Sequence, residues 1–448
     1  MPTPAHRRLI LLRGAPRETQ TAAQVLLTGL PAEGVLWVGG DHPQALPVAQ
    51  VRRRLGESHD AVVLDGHGGL DPDALGRCHG FVRGGGALVV CLPPQGELPQ
   101  GWQPRLVVPP YTVADVGDRT QRRLAAVLAK HAGPATAGAP PDRTTRGTAE
   151  QAQVVAALRQ AWAQASPTLT ALVADRGRGK SSALGLALQG QDPAKVMVCG
   201  PQREAVAEVL RFAGRPLPFA TPDELILGDR RPRIIVVDEA AQVPVPALQR
   251  LVHAHPQAHL AFATTTHGYE GTGRGFVLRF LRWLADQGRP VARLSLSEPI
   301  RWAAGDPLEA AVFDALLLDA EPAPVTGTVD PAACTHEVLD RAALAANERD
   351  LRDFFGILVH AHYRTTPGDL QRMLDAPNLR MHALRHNGRI VAASWVALEG
   401  GLGPDWVDTV YWGRAGVRGH ALPETLVCHG GHREAAALRI VRSVRIAA

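Results

Sequence analysis

Lys180 is one of three lysines in a chain of 448 residues that carries 48 basic side chains, and it stands in the stretch Val173-Ala174-Asp175-Arg176-Gly177-Arg178-Gly179-Lys180-Ser181-Ser182. Glycine, lysine, then a hydroxyl residue closes the phosphate-binding pattern G-x-x-x-x-G-K-[ST]. The chemistry needs those types. Glycines let backbone N–H groups gather around an anion, the ammonium reaches the β- and γ-phosphates, and the hydroxyl ligates Mg²⁺. The first position is Ala174 rather than glycine, a replacement that a negative φ tolerates. Further along, Ile234-Ile235-Val236-Val237 runs into Asp238-Glu239. An apolar strand ending in two acids supplies one carboxylate for Mg²⁺ and another to orient or deprotonate an attacking water. Lys180, Asp238 and Glu239 are therefore the candidate residues for ATP hydrolysis, with Ser181 and Asp238 as candidate Mg²⁺ ligands.

Such a loop works only between a strand and a helix. "TLTALVA" (168–174) reads as the strand and "KSSALGLALQG" as the helix. Gln151 stands just before a helix upstream of the loop, where helicase-type folds often place an adenine-reading glutamine. "AFATTTHGYEGTGRGF" (261–276) reads as a strand rich in threonine that leads into a glycine-rich loop. Arg301, in "LSEPIRWAAGDPLE", is a candidate γ-phosphate-sensing arginine.

Two stretches rich in Pro, Gly, Ala and Thr, 132–147 and 320–333, read as linkers. They divide the chain into 1–131, 148–319 and 334–448, in keeping with a length of about three domains. In the first part "RLILLRG", "GVLWVGG", "DAVVLDG" and "GALVVCLPP" alternate with the helix-like "ETQTAAQVLLTGL" and "PVAQVRRRLGE". That alternation predicts a parallel α/β sheet. Its glycine clusters at 66–69 and 83–86 read as turns. The third part opens with helical periods and then carries Asn387-Gly388 between two apolar-rich runs, a hairpin signal that predicts α+β architecture.

Composition bounds the rest. Hydrophobic residues make up 45%, enough for sizeable cores. No apolar run reaches the roughly 18 residues of a membrane helix, so no membrane association is expected. Five scattered cysteines without a C-x-x-C pair argue against a zinc ribbon or disulfide scaffold and for a reducing cytoplasm. A net charge of +5 permits a nucleic-acid partner without requiring one. The arginine excess over lysine also fits a GC-rich genome. His253, His255 and His259, and Cys428, His429 and His432, read as exposed loop residues rather than zinc sites. Tyr363, Arg364, Arg418, Gly419 and His420 fit either contact with RNA or cofactor, or capping and packing of helices. No protein partner is inferred.

Taken together, "ADRGRGKS", "VVDEAAQVP", "TTTHGYEGTGRGF", "PIRWAAGDPLE", "FFGILVHAHYRTTPGDLQRMLDAPN" and "RGHALPETL" resemble the bacterial tRNA(Met) cytidine acetyltransferases. That family typically writes its loop A-D-R-G-R-G-K-S, which accounts for Ala174. The resemblance implies a Rossmann-like N-terminal α/β domain, a RecA/RecD-like P-loop ATPase and a GNAT acetyltransferase of α+β type. It implies acetylation of the exocyclic amine of the wobble cytidine in elongator tRNA(Met), with acetyl-CoA as donor and ATP or GTP hydrolysed. By motif match the nucleotide site would be Gln151, Val173 to Ser182, and Arg301. Ile446, Ala447 and Ala448 would face the acetyl group and pantetheine. The family's glycine-rich turn after that strand, which holds the acetyl-CoA pyrophosphate, has no counterpart before Ala448. The sequence therefore reads as truncated inside the GNAT domain. The alternative expectation is an RNA-stimulated ATPase or tRNA-binding fragment without acetyl transfer. No general base is assigned for acetyl transfer; Glu399, at the end of the third strand of that region, is the one residue considered.

Overall fold

A computed structural model describes residues 5–136, 147–265, 279–325, 327–361 and 365–448. β1 (Arg8–Arg13), β2 (Val35–Val38), β3 (His59–Asp65) and β4 (Val82–Leu92) form a parallel sheet in the order β1-β4-β3-β2. Parallel strands are covered on both faces and so read as continuous apolar runs, as "AVVL" and "ALVVCL" do here. Helices Pro72–Phe81 and Arg119–His131 contribute to the core on one face. The helix Pro307–Leu316 completes it, although it falls within the stretch 148–319. Leu308, Ala311, Val312, Ala315 and Leu316, a helical stripe, pack with Leu9, Val62, Leu64, Leu88 and Leu124.

Two readings of this region are corrected. The glycine cluster at 83–86 is part of strand β4, not a turn. A Cβ on Gly84 would stand 2.8 Å from the Arg301 carbonyl, and one on Gly86 would stand 2.4 Å from the Asp60 carbonyl. Glycine serves here to let other backbones approach the strand. "PVAQVRRRLGE" forms only 3₁₀ turns over Val48–Arg54, because its single buried side chain, Val51, offers no apolar stripe.

The second sheet is also parallel. β5 (Leu169–Ala174), β6 (Val196–Cys199), β7 (Phe219–Ala220), β8 (Ile234–Val237), β9 (His259–Thr265) and β10 (Val291–Leu296) lie in the order β10-β5-β9-β8-β6-β7. Helices Ala149–Ala163, Lys180–Leu188 and Ala207–Ala213 pack on one face, and Pro222–Leu227, Val245–Ala254 and Leu281–Ala285 on the other. His255 and His259 are not exposed loop residues; each is 2% exposed. His255 Nε2 bonds to the Leu225 carbonyl at 3.0 Å and His259 Nδ1 to the Thr168 hydroxyl at 2.9 Å, so both imidazoles tie element ends together. Burial holds both below the ordinary histidine range. The glycine-rich stretch after β9, from residue 266, lies outside the described residues, as do Tyr363 and Arg364.

The third sheet is antiparallel: β11 (Thr335–Val338), β12 (Leu379–His386), β13 (Arg389–Gly400) and β14 (Arg439–Ala447), in that order. Asn387 (φ 49°) and Gly388 (φ 73°) join β12 to β13 as a two-residue turn with both φ positive. Helices Glu348–Ala361 and Pro367–Asp375 bury their apolar faces against this sheet. The start of the 320–333 stretch is held in place. Ala320 and Ala323 are buried, and a Cβ on Gly356 would meet the Glu321 carbonyl carbon at 2.4 Å. At the far end of β13, Gly400 has φ 82° and a Cβ there would stand 1.7 Å from the Leu438 carbonyl oxygen. Gly400→Ala is expected to destabilise the fold by about 1–3 kcal/mol through overpacking, read as a fall in the denaturant midpoint. An unchanged midpoint would show that β13 and β14 separate there without cost.

The first and third sheets are joined by polar contacts. The Asp375 carboxylate accepts from the N–H groups of Arg119 (2.8 Å) and Thr120 (3.1 Å), and Asp73 accepts from Gly368 N–H at 3.0 Å. Burial raises both carboxyls above their ordinary range despite those bonds. His420, open between two readings from sequence, is buried. Its Nδ1 accepts from Gly400 N–H at 2.8 Å and its Nε2 contacts the Pro109 carbonyl, a packing role.

Candidate nucleotide and acetyl-transfer sites

β5 ends at Ala174, the loop follows, and Lys180 opens the next helix, so strand, loop and helix occur as the motif requires. Ala174 keeps a negative φ, whereas Gly177 (79°) and Gly179 (84°) are left-handed. Lys180 Nζ is buried and donates to the carbonyls of Ala174 (2.8 Å) and Asp175 (2.9 Å). Burial pulls its pKa below the ordinary lysine value, while Glu239, Asp238 and Asp175 oppose that shift. Gln151 lies inside the first turn of helix Ala149–Ala163 rather than before it, because Thr148 is the N-cap. Its Nε2 donates to Gly179 O (3.1 Å) and Ser182 Oγ (2.8 Å), bracing the loop where the helix begins.

Asp238 follows β8 directly, at the same carboxyl edge of the sheet as the loop after β5, with β9 between them. Open parallel sheets bind ligands at that edge. The Asp238 carboxyl is 1% exposed and raised by burial, against hydrogen bonds from Ser181 and from Glu239 N–H and the charge of Lys180. Its Oδ2 is buried with no hydrogen-bond partner. A buried carboxylate oxygen without a donor, beside a serine hydroxyl, suits a hard divalent cation. Glu239 has φ 49° and ψ 39°, a left-handed conformation that costs a non-glycine residue energy and gathers at functional positions.

Sequence reasoning missed the wall behind the loop. A Cβ on Gly177 would stand 2.4 Å from the Trp302 ring, so that glycine is needed for space as well as for φ. The Arg7 guanidinium lies 3.5 Å from the centre of the same ring and pairs with Asp306 at 2.9 Å, both side chains being fully buried. Asp306 caps the helix that carries Glu309, and Glu309 binds Arg178 through two bonds of 2.8 and 3.0 Å. The Arg301 carbonyl accepts from Gly84 N–H of β4 at 2.6 Å. Thus the loop, the segment carrying Arg301 and the first sheet form one connected structure. No spacing rule links residue 7 to residue 177; the adjacency of Trp302 to Arg301 was the only available hint. Trp302→Leu is expected to raise the nucleotide KM about tenfold, equivalent to ~1.4 kcal/mol, with kcat changing less. Steady-state kinetics over nucleotide concentration check this, and an unchanged KM would mean that the loop holds its shape without the ring.

In the third sheet β14 is an edge strand. Its pairing with β13 shifts register between Trp395 and Val396, after which Ser394 faces Ile446 and Ala393 faces Ala447. Such bulges re-aim side chains near sites. Ile446 and Ala448 are exposed and Ala447 is half-buried. Glu399 is buried, pairs with Arg442 and accepts from Leu422 N–H at 3.0 Å, so its oxygens already hold the structure together.

Three family models match parts of this chain. The family described as tRNA(Met) cytidine acetyltransferase TmcA, N-terminal, matches residues 2–137. The helicase domain of the RNA cytidine acetyltransferases NAT10/TcmA matches 171–319, and GNAT acetyltransferase 2 matches 353–448. A tRNA(Met) cytidine acetyltransferase TmcA of Nitrosococcus halophilus is 39% identical over 99% of this chain. The chain belongs to the tRNA(Met) cytidine acetyltransferase TmcA family. Further members include those of Haloarcula marismortui (36% identical, 94% of this chain) and Yersinia pestis (31%, 98%). The chain spans 66%, 62% and 65% of the lengths of these three relatives. Among the described residues no helix is long and apolar enough to cross a membrane.

Proposed function

We propose that this chain acetylates the exocyclic amine of the wobble cytidine of tRNA(Met) in the cytoplasm, using acetyl-CoA and hydrolysing ATP or GTP. The observation that carries the reading is the 39% identity over 99% of the chain to a relative of that name. We assign the nucleotide site to Gln151, Val173 to Ser182, and Arg301 in domain 148–319, with 1–131 as an α/β domain and 334–448 as a GNAT region. Lys180 leaves its two carbonyl partners to bind the β- and γ-phosphates, Glu239 orients the attacking water, and Arg301 senses the γ-phosphate. Mg²⁺, held by Ser181 and Asp238, would neutralise phosphate charge when bound. The orphaned Asp238 oxygen supports that assignment.

In acetyl transfer the cytidine N4 attacks the thioester carbonyl, an N–C bond forms, the C–S bond breaks and CoA leaves as the thiol. The amine loses one proton in the exchange. It is a weak nucleophile, because its lone pair is delocalised into the ring, so positioning and polarisation of the carbonyl must do most of the work. Ile446 to Ala448 are the candidates for that positioning. The hydrolysis step would splay the anticodon loop so that the base reaches the acetyl group.

The test is transfer of labelled acetyl from acetyl-CoA to tRNA(Met) with ATP present, followed by nuclease digestion. Label in cytidine is the expected result. Hydrolysis stimulated by tRNA with no label, while a longer relative labels the same tRNA, would favour an RNA-stimulated ATPase instead.

A further inference from the structure

A cavity of about 390 Å³ lies between the first and third sheets, lined by Arg119, Arg341, Arg380, Tyr111, Asp115 and Asp340 among others. Each arginine is anchored by a backbone carbonyl. Arg119 donates to Leu374 O (3.3 Å), Arg341 to Ala376 O, and Arg380 to Pro377 O (3.0 Å) and Leu379 O (2.8 Å). A guanidinium has five N–H donors, so most remain available. Arg119 Nε is buried with no partner. None of the three makes an ion pair among the described residues.

The two acids of the lining are already engaged. Asp115 accepts from the Thr112 N–H and hydroxyl, and Asp340 accepts from Ala343 N–H. Three cations therefore face two carboxylates, each held through one oxygen, with the buried Asp375 beside Arg119 and Arg341. Arg341 is pushed down to about 10, first by burial and then by repulsion from Arg119 and Arg380, with Asp375 and Asp340 opposing the shift.

We propose that this cavity binds a single-stranded segment of RNA backbone, with the arginines on phosphodiesters and Tyr111 against a base. The proposal rests on the RNA substrate proposed above. A compact phosphate dianion would be repelled by Asp115 and Asp340. A phosphodiester carries one charge per nucleotide, and its 2′-hydroxyl can donate to a carboxylate. Rigidly held guanidiniums suit phosphate oxygens, and an aromatic ring suits an unstacked base.

The test is binding of a fluorescent single-stranded RNA dodecamer to the full chain over roughly 50–200 mM salt. Arg341→Gln/Arg380→Gln is expected to weaken binding about tenfold or more. Its log–log salt slope should be shallower by about 1.4, at ~0.7 per lost phosphate contact. The paired Arg→Lys variant should retain most of the affinity, separating lost charge from lost fold. Wild-type binding that the Gln pair leaves unchanged would overturn the cavity assignment alone. A wild-type chain that binds no RNA would overturn the proposed RNA substrate and this site with it. Loss of CoA binding in the Gln pair, with RNA binding intact, would give the cavity to the cofactor's phosphates and overturn the RNA occupant.

Discussion

Lys180→Ala is expected to lower NTP hydrolysis on the order of a thousandfold, the scale lost when a preorganised donor to developing charge is removed. The ammonium is already in the loop, held by the carbonyls of Ala174 and Asp175, so bound phosphates need only draw it a short way. Its burial, which lowers its pKa, would also make each contact it forms stronger than in water. The substitution has a second effect. Asp238 loses the opposing charge of Lys180 while remaining buried, so some stability is lost too. Steady-state hydrolysis beside a thermal melt separates the two. An undiminished rate in a folded variant would remove the nucleotide site from this loop.

Glu239→Gln is expected to reduce kcat by about 10²–10³-fold while nucleotide still binds, since general-base assistance is worth that much. Glutamine preserves size and the option of a hydrogen bond to Gln242, which donates to Glu239 at 3.4 Å. The left-handed backbone at this residue suggests a control. Glu239→Gly relieves the strain but lacks the carboxylate, so it should be as slow as the glutamine variant and no less stable. Wild-type turnover in either variant would show that the attacking water is oriented by another group.

Where local sequence dictates structure, structure could be read from it. The run from Thr168 to Leu188 needs strand, loop and helix in succession, and Asn387-Gly388 needs two positive φ angles; both patterns are carried by a few adjacent residues. The parallel sheets were legible because strands buried on both faces must be apolar throughout. What was not legible depends on residues distant in sequence. Gly84 and Gly86 look like a turn until another backbone is brought against β4. His255 and His259 look exposed until Leu225 and Thr168 reach them. The wall behind the loop from Ala174 to Lys180 is built from residues 7, 302, 306 and 309. The strained backbone of Glu239 leaves no mark at all, because glutamate is not a residue type that announces a positive φ.

The helix Pro307–Leu316 has a consequence for biogenesis. During synthesis β1 to β4 leave the ribosome early, yet one side of their core waits for Leu308 to Leu316. The whole second sheet emerges in between. The N-terminal segment must therefore stay incomplete, with an apolar face uncovered, until the chain has been made through Leu316. Such delayed long-range closure is slow and open to misassociation. A fragment of residues 1–136 is expected to bind a hydrophobic dye and to unfold without a sharp transition. A cooperative melt of that fragment would show that the late helix is dispensable.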